Sequence, residues 1–531
     1  MNRKDRRAQQ AGQKGGALNP MDDPRFATAV QHLQGGDLAG AAHWAEQALQ
    51  AQPRDADRLH LLGVIRLQLG QPAEAVALLT KALSQRPALD EARLNLTLAL
   101  CRLQNFPEAE REIRKLLPRH PDPQHPNYAP TRQLYATILR QLGKLEEAAQ
   151  EFSQLLAQHP EDGEGWSNYG LTLRSLDRRS EAIDAFRHAI QARPDLAAAH
   201  NNLGALLLAQ GEFAEGFAEQ DWRWRTPERQ SDLRAFPQPW WQGEDLAGKT
   251  LLLWSEQGPG DQILAATALP ALTRRGVKLI IECKPRMSPL FARAFPQAQI
   301  VERSDPPHPA TLAPDIAAQL PLGSLSRWLP PDQVTPEPWL VADGTRAAEL
   351  RARYQQAGQP EGTKSNLLVG LAWRSKNATV GQHKSLDLAA WAPLLHLPGI
   401  TFVNLQYGDV AEEIAAARAA TGAKILEDAD IDQMADMDAF TAQVAALDLI
   451  IANSQTVVHV AGGLGRPVWT LLPLSQGLLW YWGLAGEACA FYPSMRLLRQ
   501  SQRGIWEDVI AEAAQRLAGQ LQGDGVISHI R

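Results

Sequence analysis

Prolines recur at an almost constant interval through the first 230 residues of this 531-residue chain. Successive prolines stand 34 residues apart, except for one interval of 39 and a last one of 33. A period of this length is the signature of stacked helix pairs, because one pair cannot bury its own apolar face. The period therefore predicts a helical solenoid. The recurring prolines are Pro53, Pro87, Pro121, Pro160, Pro194 and Pro227.

The clearest repeat runs from Gly163 to Leu196, with small residues where two helices would cross and aromatic residues facing inward. Its pattern resembles the tetratricopeptide repeat. Five repeats and a less regular sixth, ending near Trp224, are predicted within residues 22–230. The concave surface of such a solenoid serves either substrate capture or formation of a homodimer. The residues that carry the pattern are Trp166, Tyr169, Gly170, Ala182 and Phe186.

The amino-acid composition limits the class of protein to which the whole chain can belong. With 44% hydrophobic and 21% charged residues, the chain can build packed cores and is not disordered as a whole. The formal net charge is -6, and no long basic block follows the first residues. This net negative charge, without a long basic block, argues against nucleic acid as a partner.

Cysteine usage and the start of the chain predict a cytoplasmic protein. The three cysteines lie far apart without CxxC spacing, so neither a disulfide framework nor a zinc site is expected. Residues 1–21 are basic but lack an apolar segment, which predicts a disordered tail rather than a secretion signal. No stretch reaches the ~18 consecutive apolar residues that a membrane-spanning helix needs.

After residue 245, helical spacing gives way to short continuous apolar runs separated by helix-like stretches. The runs lie at 250–255, 278–283, 299–303, 367–373, 400–406, 424–428, 447–453 and 467–473. Such runs are typical of buried parallel strands joined by crossover helices. The predicted fold class is α plus α/β, a solenoid followed by two Rossmann-like lobes with a ligand cleft between them. The expected segments are a linker at 231–245, a first lobe at 246–345, a linker at 346–365, a second lobe at 366–498, and a helix and tail at 499–531.

The first strand of the first lobe leads into a glycine-containing loop that includes Glu256, Gln257, Gly258 and Gly260. A dinucleotide-binding fingerprint is excluded here, because Ile263 stands where its third glycine is needed. Asp261 stands at the start of the next helix and has two interpretations. It is either the N-cap of that helix or a general base that faces the cleft.

A second feature follows the strand predicted at 447–453. Ser454, Gln455 and Thr456 stand at a helix N-terminus, where free backbone N–H groups and the helix dipole favour a phosphate. The alternative is a plain capped helix packed by glycines. His459 is likewise either a hydrogen-bonded core residue or a donor that reaches the cleft. The small residues that follow are Gly462 and Gly463.

A loop rich in hydrogen-bond donors follows the first strand of the second lobe. A leaving group with one or two phosphates needs positive charge at such a position, although an ordinary surface loop has a similar composition. Trp480 and Trp482 are more typical of lid or core packing than of base stacking, and no role is assigned to them. The donors of the loop are Arg374, Lys376, Asn377, His383, Lys384 and Ser385.

Residues 221–500 resemble bacterial tetratricopeptide-repeat proteins that end in a heptosyltransferase-like glycosyltransferase domain of the GT-B class. The resemblance implies a nucleotide-sugar donor bound mainly by the second lobe and an acceptor bound by the first lobe and the repeats. It also implies inverting transfer without a metal or cofactor. The matching segments are WRWRTPE, FPQPWW, EQGPGD, LAWRS, NLQYGD, AALDLII, HVAGGLGRPVWTLLP and FYPSMRLLRQ.

By the same resemblance, Asp261 takes the position of the family's proposed catalytic base. Lys384 takes that of its cationic phosphate contact, and residues 456–463 take that of its phosphate helix. The loop from Glu256 to Gly260 lies on the acceptor side. The other residues assigned to donor binding are Arg374, Ser385, Ser454, Gln455, His459, Gly462 and Gly463.

The family usually carries an Asp-Thr pair where this chain has Ser454 and Gln455, which indicates either a different donor or lost activity. A narrower resemblance to bacterial flagellin glycosyltransferases implies flagellin as the acceptor and a nonulosonic acid as the sugar. The expected activity is transfer of a sugar to Ser or Thr hydroxyls of a protein. Two alternatives stay open, a glycan- or lipid-directed transferase and an inactive scaffold whose repeats organise partners.

Overall fold

The computed structural model describes residues 20–358, 367–375, 380–474 and 477–522. The chain divides into two compact units, the first ending at Leu196 and the second beginning at Ala197. The described part of the first unit is helical throughout, whereas the second unit combines a helix pair with two α/β lobes. The predicted fold class is therefore confirmed.

The helices of the first unit pack in pairs, and small residues stand where the two helices of a pair cross. A Cβ atom on Gly63 would lie 2.8 Å from Leu79 Cγ, and one on Gly170 would lie 2.8 Å from Phe186 Cε1. The pairs can approach closely only because these side chains are absent. The helices are α1 Pro24–Gln34, α2 Leu38–Ala51, α3 Ala56–Gln68, α4 Pro72–Gln85, α5 Asp90–Arg102, α6 Phe106–Ile113, α7 Tyr128–Gln141, α8 Leu145–Gln158, α9 Gly163–Ser175 and α10 Arg179–Ala192.

The extra residues of the 39-residue proline interval lie in a proline-rich loop between α6 and α7. His120 in this loop is buried, and its Nε2 atom lies 3.1 Å from Asp90 Oδ2 on α5. The His120 ring also stacks on His125, with ring centroids 4.3 Å apart. The loop is thus packed onto its own repeat.

A sixth helix pair opens the second unit and packs on both lobes. Asp221, just after the pair, accepts a hydrogen bond from Ser324 of the first lobe (2.7 Å), and Phe217 meets Trp480 of the second lobe edge to face at 5.5 Å. These contacts group the predicted sixth repeat with the α/β lobes. Its elements are α11 Ala197–Gln210, α12 Phe213–Gln220, a 3-10 helix Asp221–Arg225 and α13 Pro227–Gln230.

The first lobe is a four-stranded parallel sheet with strand order β3-β2-β1-β4. Strand β4 was not predicted, because its alanines and the buried Gln319 interrupt the apolar run. Trp254 of β1 donates to Gln319 Oε1 at 2.6 Å, which satisfies that amide oxygen inside the core. The elements are β1 Thr250–Trp254, α14 Pro259–Ala265, α15 Leu269–Arg274, β2 Lys278–Cys283, α16 Ser288–Ala294, β3 Gln299–Glu302 and β4 Ile316–Pro321.

The second lobe is a six-stranded parallel sheet with strand order β10-β9-β8-β5-β6-β7, the order of a dinucleotide-binding sheet read from its far edge. Strand β10 was not predicted, because its arginines break the apolar pattern. The elements are α17 Gly344–Gly358, β5 Leu367–Ala372, α18 Gly381–Lys384, α19 Ala392–Leu395, β6 Ile400–Asn404, α20 Ala411–Thr421, β7 Ile425–Leu426, α21 Met437–Ala445, β8 Leu449–Asn453, α22 Thr456–Gly463, β9 Val468–Leu472, β10 Met495–Arg499 and α23 Glu507–Gln522.

A substitution at Gly204 of α11 would test how closely the two helices of the sixth pair pack. A Cβ atom there would lie 2.6 Å from Gln220 N and 2.7 Å from Gly216 O, backbone atoms that cannot move without separating α11 from α12. We expect Gly204→Ala to lower the free energy of unfolding by about 1–3 kcal/mol in urea denaturation. The matched control is Gly519→Ala in α23, where a Cβ atom meets nothing within 4 Å. The control should gain about 0.5–1 kcal/mol from helix propensity, and equal stability of the two variants would contradict the close packing.

Candidate active site

Loops from both lobes meet where the strand order of each sheet reverses. In the first lobe these loops follow β1 and β4, and in the second lobe they follow β5 and β8. Helix α14, after β1, packs against α22, after β8, and so joins the two lobes. Open parallel sheets bind ligands at the carboxyl ends of their strands at such reversals. The regions around Asp261, Lys384 and Thr456 lie at these positions.

Asp261 lies in the first turn of α14, whose N-cap residue is Gly258. It is therefore not the N-cap, which was the simpler of its two interpretations. Burial raises the pKa of its carboxyl, while the backbone N–H of Gly258 and the ammonium of Lys384 oppose this shift. A carboxylate with a raised pKa can accept a proton nearer to neutral pH than an exposed one.

The side chain of Asp261 lines a cavity of about 50 Å³, called the Asp261 cavity below. Its walls come from the sixth helix pair and the 3-10 helix after it, from the first lobe and from the second lobe. The contributions of Gln220 and Arg223 were not predicted, although the segment WRWRTPE that carries Arg223 belongs to the resemblance. The lining residues are Phe217, Gln220, Arg223, Gln257, Asp261, Leu264, Ala265, Gly323, Ser326, Trp480, Tyr481 and Phe491.

Glu256 supports the wall of this cavity from behind. Its side chain is 2% exposed, and its Oε1 atom lies 3.7 Å from Arg223 Nη2. Among the described residues Oε1 has no hydrogen-bond partner. Burial raises the pKa of Glu256, and Arg223 opposes the shift. Arg223 also donates to Asp221 and Ser324, so its guanidinium is held in place at the cavity wall.

Lys384 ends α18 and is 4% exposed. Its backbone carbonyl accepts a hydrogen bond from Asn453 Nδ2, the residue that ends β8, which ties the loop after β5 to the loop after β8. Burial lowers the pKa of the Lys384 ammonium to about 8, and the charge of Asp261 opposes this shift. Lys384 and Asp261 therefore act on each other electrostatically across the two lobes.

His459 is buried in an aromatic environment in α22. Its Nδ1 atom lies 3.2 Å from Tyr492 Oη, and its ring stacks on Trp482 at 5.1 Å. Burial lowers its pKa to about 3, with a smaller contribution from the charge of Lys384, so the imidazole is neutral near pH 7. A Cβ atom on Gly260 would lie 3.0 Å from His459 Cδ2, so glycine lets α14 approach this ring. This geometry agrees with the interpretation of His459 as a hydrogen-bonded core residue.

The N-terminus of α22 lines a second cavity, called the interlobe cavity, of about 50 Å³. Gln455 is the N-cap residue and makes no side-chain capping bond. Its Nε2 atom instead donates to Asn453 Oδ1 at 2.6 Å, which leaves the first N–H groups of α22 without a side-chain cap. The lining residues are Pro259, Arg286, Leu405, Tyr407, Gln433, Met434, Met437, Phe440, Gln455, Thr456 and Val457.

Three residues predicted to bind the donor pack inside the structure. Ser454 Oγ accepts a hydrogen bond from Trp482 Nε1 at 2.8 Å. A Cβ atom on Gly462 would overlap the ring of Tyr492, and one on Gly463 would lie 3.3 Å from Leu340 Cβ. These positions serve packing around α22, and their role in donor binding stays a prediction.

Only part of the donor-rich loop after β5 lies at the site. The Arg374 guanidinium is ion-paired with Glu413, and Ser385 Oγ bonds within the loop, to Gly381 O and Ser375 N. Lys376 and Asn377 lie outside the described residues. Among the described residues of this loop, Lys384 is the one whose charge acts on both Asp261 and His459.

Neither a metal site nor a membrane-spanning helix is found among the described residues. No group of three His, Cys, Asp or Glu side chains among them is arranged to hold a metal ion. None of their helices combines the length and apolar character needed to cross a lipid bilayer.

The repeat region matches family models described as tetratricopeptide repeat, at residues 66–125, 136–197 and 170–221. The helical array is a tetratricopeptide-repeat solenoid. The chain is 28% identical over 548 aligned residues to Protein FlbA of Caulobacter vibrioides, an alignment that covers 93% of this chain and 89% of FlbA. It is 24% identical over 237 residues to the peroxisomal targeting signal receptor of Candida albicans, covering 37% of this chain and 40% of the receptor.

The solved structures of two other proteins are similar to part of this chain. PilW, a type IV pilus biogenesis factor, is 19% identical with a TM-score of 0.37, over 40% of this chain and 99% of PilW. A tetratricopeptide-repeat protein of Parabacteroides merdae is 18% identical with a TM-score of 0.33, over 37% of this chain and 76% of that protein.

The neutral state of His459 predicts a loss of stability in acid. Below pH 6.5 the unfolded chain protonates this histidine, whereas the folded protein does not until about pH 3, so stability falls as the pH decreases through this window. Between pH 6.5 and 5 the loss from this group should approach about 2 kcal/mol. In urea denaturation at several pH values, His459→Gln should flatten this dependence and the exposed control His396→Gln should not. Equal slopes would contradict the assignment.

Proposed function

We propose that the second unit is an inverting glycosyltransferase of the GT-B class that moves a sugar from a nucleotide-sugar to a Ser or Thr hydroxyl of a protein. The observation that carries the proposal is the position of α14. Its Pro259 lines the interlobe cavity and its Asp261 lines the Asp261 cavity, so the first turn of one helix stands between two cavities. A transferase needs two such sites, one for the donor and one for the acceptor.

The proposed reaction is a single displacement. Asp261 removes the proton from the acceptor hydroxyl as its oxygen attacks the anomeric carbon of the donor. The bond from that carbon to the nucleotide phosphate breaks, and the electron pair leaves with the phosphate oxygen. Lys384 and the N–H groups at the start of α22 stabilise the negative charge that develops there. Attack from the side opposite the leaving group inverts the configuration at the sugar.

The chemistry of the interlobe cavity supports its assignment as the donor site. Apolar side chains such as Met437 and Phe440 offer a surface for a nucleobase, and Arg286 brings a positive charge from the first lobe. Gln433 Oε1 is buried and has no hydrogen-bond partner among the described residues, so it can accept a hydrogen bond from a base or ribose. Thr456 brings the start of α22 to the same cavity for the phosphates.

The repeats support a protein acceptor, because tetratricopeptide arrays are protein-interaction modules. The resemblance to bacterial flagellin glycosyltransferases makes flagellin the first acceptor to test, with a nonulosonic acid as the sugar. In this proposal the departure at Ser454 and Gln455 changes the donor rather than abolishing activity. Gln455 acts at the interlobe cavity, and Ser454 acts through the position of α22.

A thermal-shift panel of UDP, GDP, ADP and CMP tests donor binding. We expect one nucleotide to raise the melting temperature of the wild type and of Asp261→Asn equally, because the base does not hold the phosphate. Lys384→Met should weaken the shift, and the exposed control Lys278→Met should not. A CMP response would favour a nonulosonic acid donor, and a diphosphate response a hexose donor. No shift with any nucleotide would support the scaffold alternative.

The rate of transfer should depend on pH in a bell shape. As the pH falls, Asp261 takes up a proton below its raised pKa and stops acting as a base. As the pH rises through about 8, Lys384 loses the proton that stabilises the leaving phosphate. We expect Lys384→Arg to move the alkaline limb of kcat/KM upward, because arginine stays protonated. An alkaline limb that is unchanged in Lys384→Arg would exclude Lys384 as its source. Asp315→Asn, an exposed change in the same lobe as Asp261, should leave both limbs unchanged.

A further inference from the structure

The side chain of Asn453, the last residue of β8, joins three segments of the second lobe. It is fully buried. Its Nδ2 atom donates to Trp373 O at 3.0 Å, just after β5, and to Lys384 O at 2.6 Å, at the end of α18. Its Oδ1 atom accepts a hydrogen bond from Gln455 Nε2 at 2.6 Å. One amide thus contacts both ends of the loop after β5 and the N-cap residue of α22.

The orientation of this amide is determined by its partners. Both partners of Nδ2 are backbone carbonyl oxygens, which only accept hydrogen bonds, so the NH2 group of Asn453 must face them. Its carbonyl oxygen then faces Gln455 and needs a donor there, which the NH2 group of Gln455 supplies. At a buried position the opposite orientation would set oxygen against oxygen and leave polar groups unpaired. Both amides are therefore held in one arrangement.

The segments that Asn453 joins carry the groups that the proposed function assigns to the leaving phosphate. Lys384 supplies the ammonium, and Gln455 directly precedes the first N–H groups of α22. Lys384 belongs to a helix of four residues, which is too short to be stable without contacts to other segments. Trp373 O also accepts a hydrogen bond from Leu386 N at 2.9 Å, so it stays paired without Asn453. The bond to Lys384 O is thus the one that restrains the backbone of the cation.

We propose that Asn453 is a positioning residue, which holds Lys384 and the first turn of α22 at a fixed separation so that both contact the same phosphate of the donor. This inference rests on the proposed function and adds a residue to which the resemblance assigns no role. Asn453 is buried and acts through these two neighbours rather than on the substrate. Groups that are held in place stabilise a developing negative charge well, because they need not reorient as it forms.

The competing interpretation is that Asn453 only stabilises the second lobe. Under both interpretations, loss of the amide lowers stability, because its buried partners are left unpaired. The two differ at Lys384. If Asn453 holds Lys384 in its buried position, loss of the amide lets water reach the ammonium, and its pKa rises from about 8 toward the ordinary lysine value of about 10.4. Asp261 is the carboxylate that acts on this ammonium, and the nearby His459 stays neutral.

The first test follows the titration of Lys384 by NMR in the full-length protein, labelled with 13C at the lysine Cε positions. Lys384→Met assigns the signal. We expect a midpoint near pH 8 in the wild type and above about pH 9 in Asn453→Leu, whose side chain has a similar shape but no donor. The milder Asn453→Ser, used where the leucine variant does not fold, should shift it in the same direction. The control Gln443→Leu removes a buried amide bonded to Tyr354 Oη and should keep the wild-type midpoint.

Gln455→Leu separates the two sides of the Asn453 amide. It removes the partner of Asn453 Oδ1 and leaves both bonds from Nδ2 in place. We expect the midpoint of Lys384 to stay near pH 8 in this variant. A raised midpoint in Gln455→Leu, an unchanged one in the Asn453 variants, or a wild-type midpoint at the ordinary lysine value would each overturn the proposal.

The second test is a double-mutant cycle on nucleotide affinity, measured by isothermal titration calorimetry with whichever of UDP, GDP, ADP and CMP gives a thermal shift. We expect Asn453→Leu to weaken binding about ten-fold in the wild-type background and about three-fold or less in Lys384→Met. The difference arises because Asn453 acts largely through the ammonium that Lys384→Met removes. Equal factors in both backgrounds would overturn the proposal. A wild type that binds none of the nucleotides contradicts the proposed function instead, and the NMR titration still decides whether Asn453 holds Lys384.

Discussion

The close approach of α14 to α22 is the contact on which the rest of the second unit depends. Gly260 of α14 lies against the ring of His459, and Ile263 one turn later lies against Gly463 of α22. Each helix thus offers a glycine where the other brings a side chain, and the two backbones come close enough to join the lobes. Because each helix follows a strand at a reversal of its sheet, this contact also brings together the carboxyl ends of the strands of both sheets.

Packing of this kind also involves several residues that the sequence suggested for donor binding. Gly462 makes room for the ring of Tyr492, whose hydroxyl meets His459. Ser454 bonds the indole of Trp482, which in turn stacks on His459. The departure from the family pattern at Ser454 thus lies in a network that sets the position of α22, rather than in the wall of the interlobe cavity.

Sequence reasoning predicted the large features because they depend on local patterns. The proline period gave the solenoid, and the continuous apolar runs gave most strands of both sheets. It missed β4, since a buried Gln319 is acceptable there only because Trp254 bonds it across the sheet. It also missed Arg223 at the Asp261 cavity, because that position depends on how the sixth helix pair packs on the first lobe. Contacts between distant segments leave no periodic signal in one sequence.

The electrostatics of the site follow from the same packing. Burial raises the pKa of Asp261 and lowers that of Lys384 to about 8, so both move toward neutral pH, while their mutual attraction limits both shifts. His459 completes the set by staying neutral, which avoids a second positive charge beside Lys384. The carboxylate of Asp261 and the ammonium of Lys384 thus attract each other across the two lobes, at a position that both lobes partly bury. Neither residue type nor spacing encodes this balance, because it arises when α14 and α22 meet and exclude water from the groups between them.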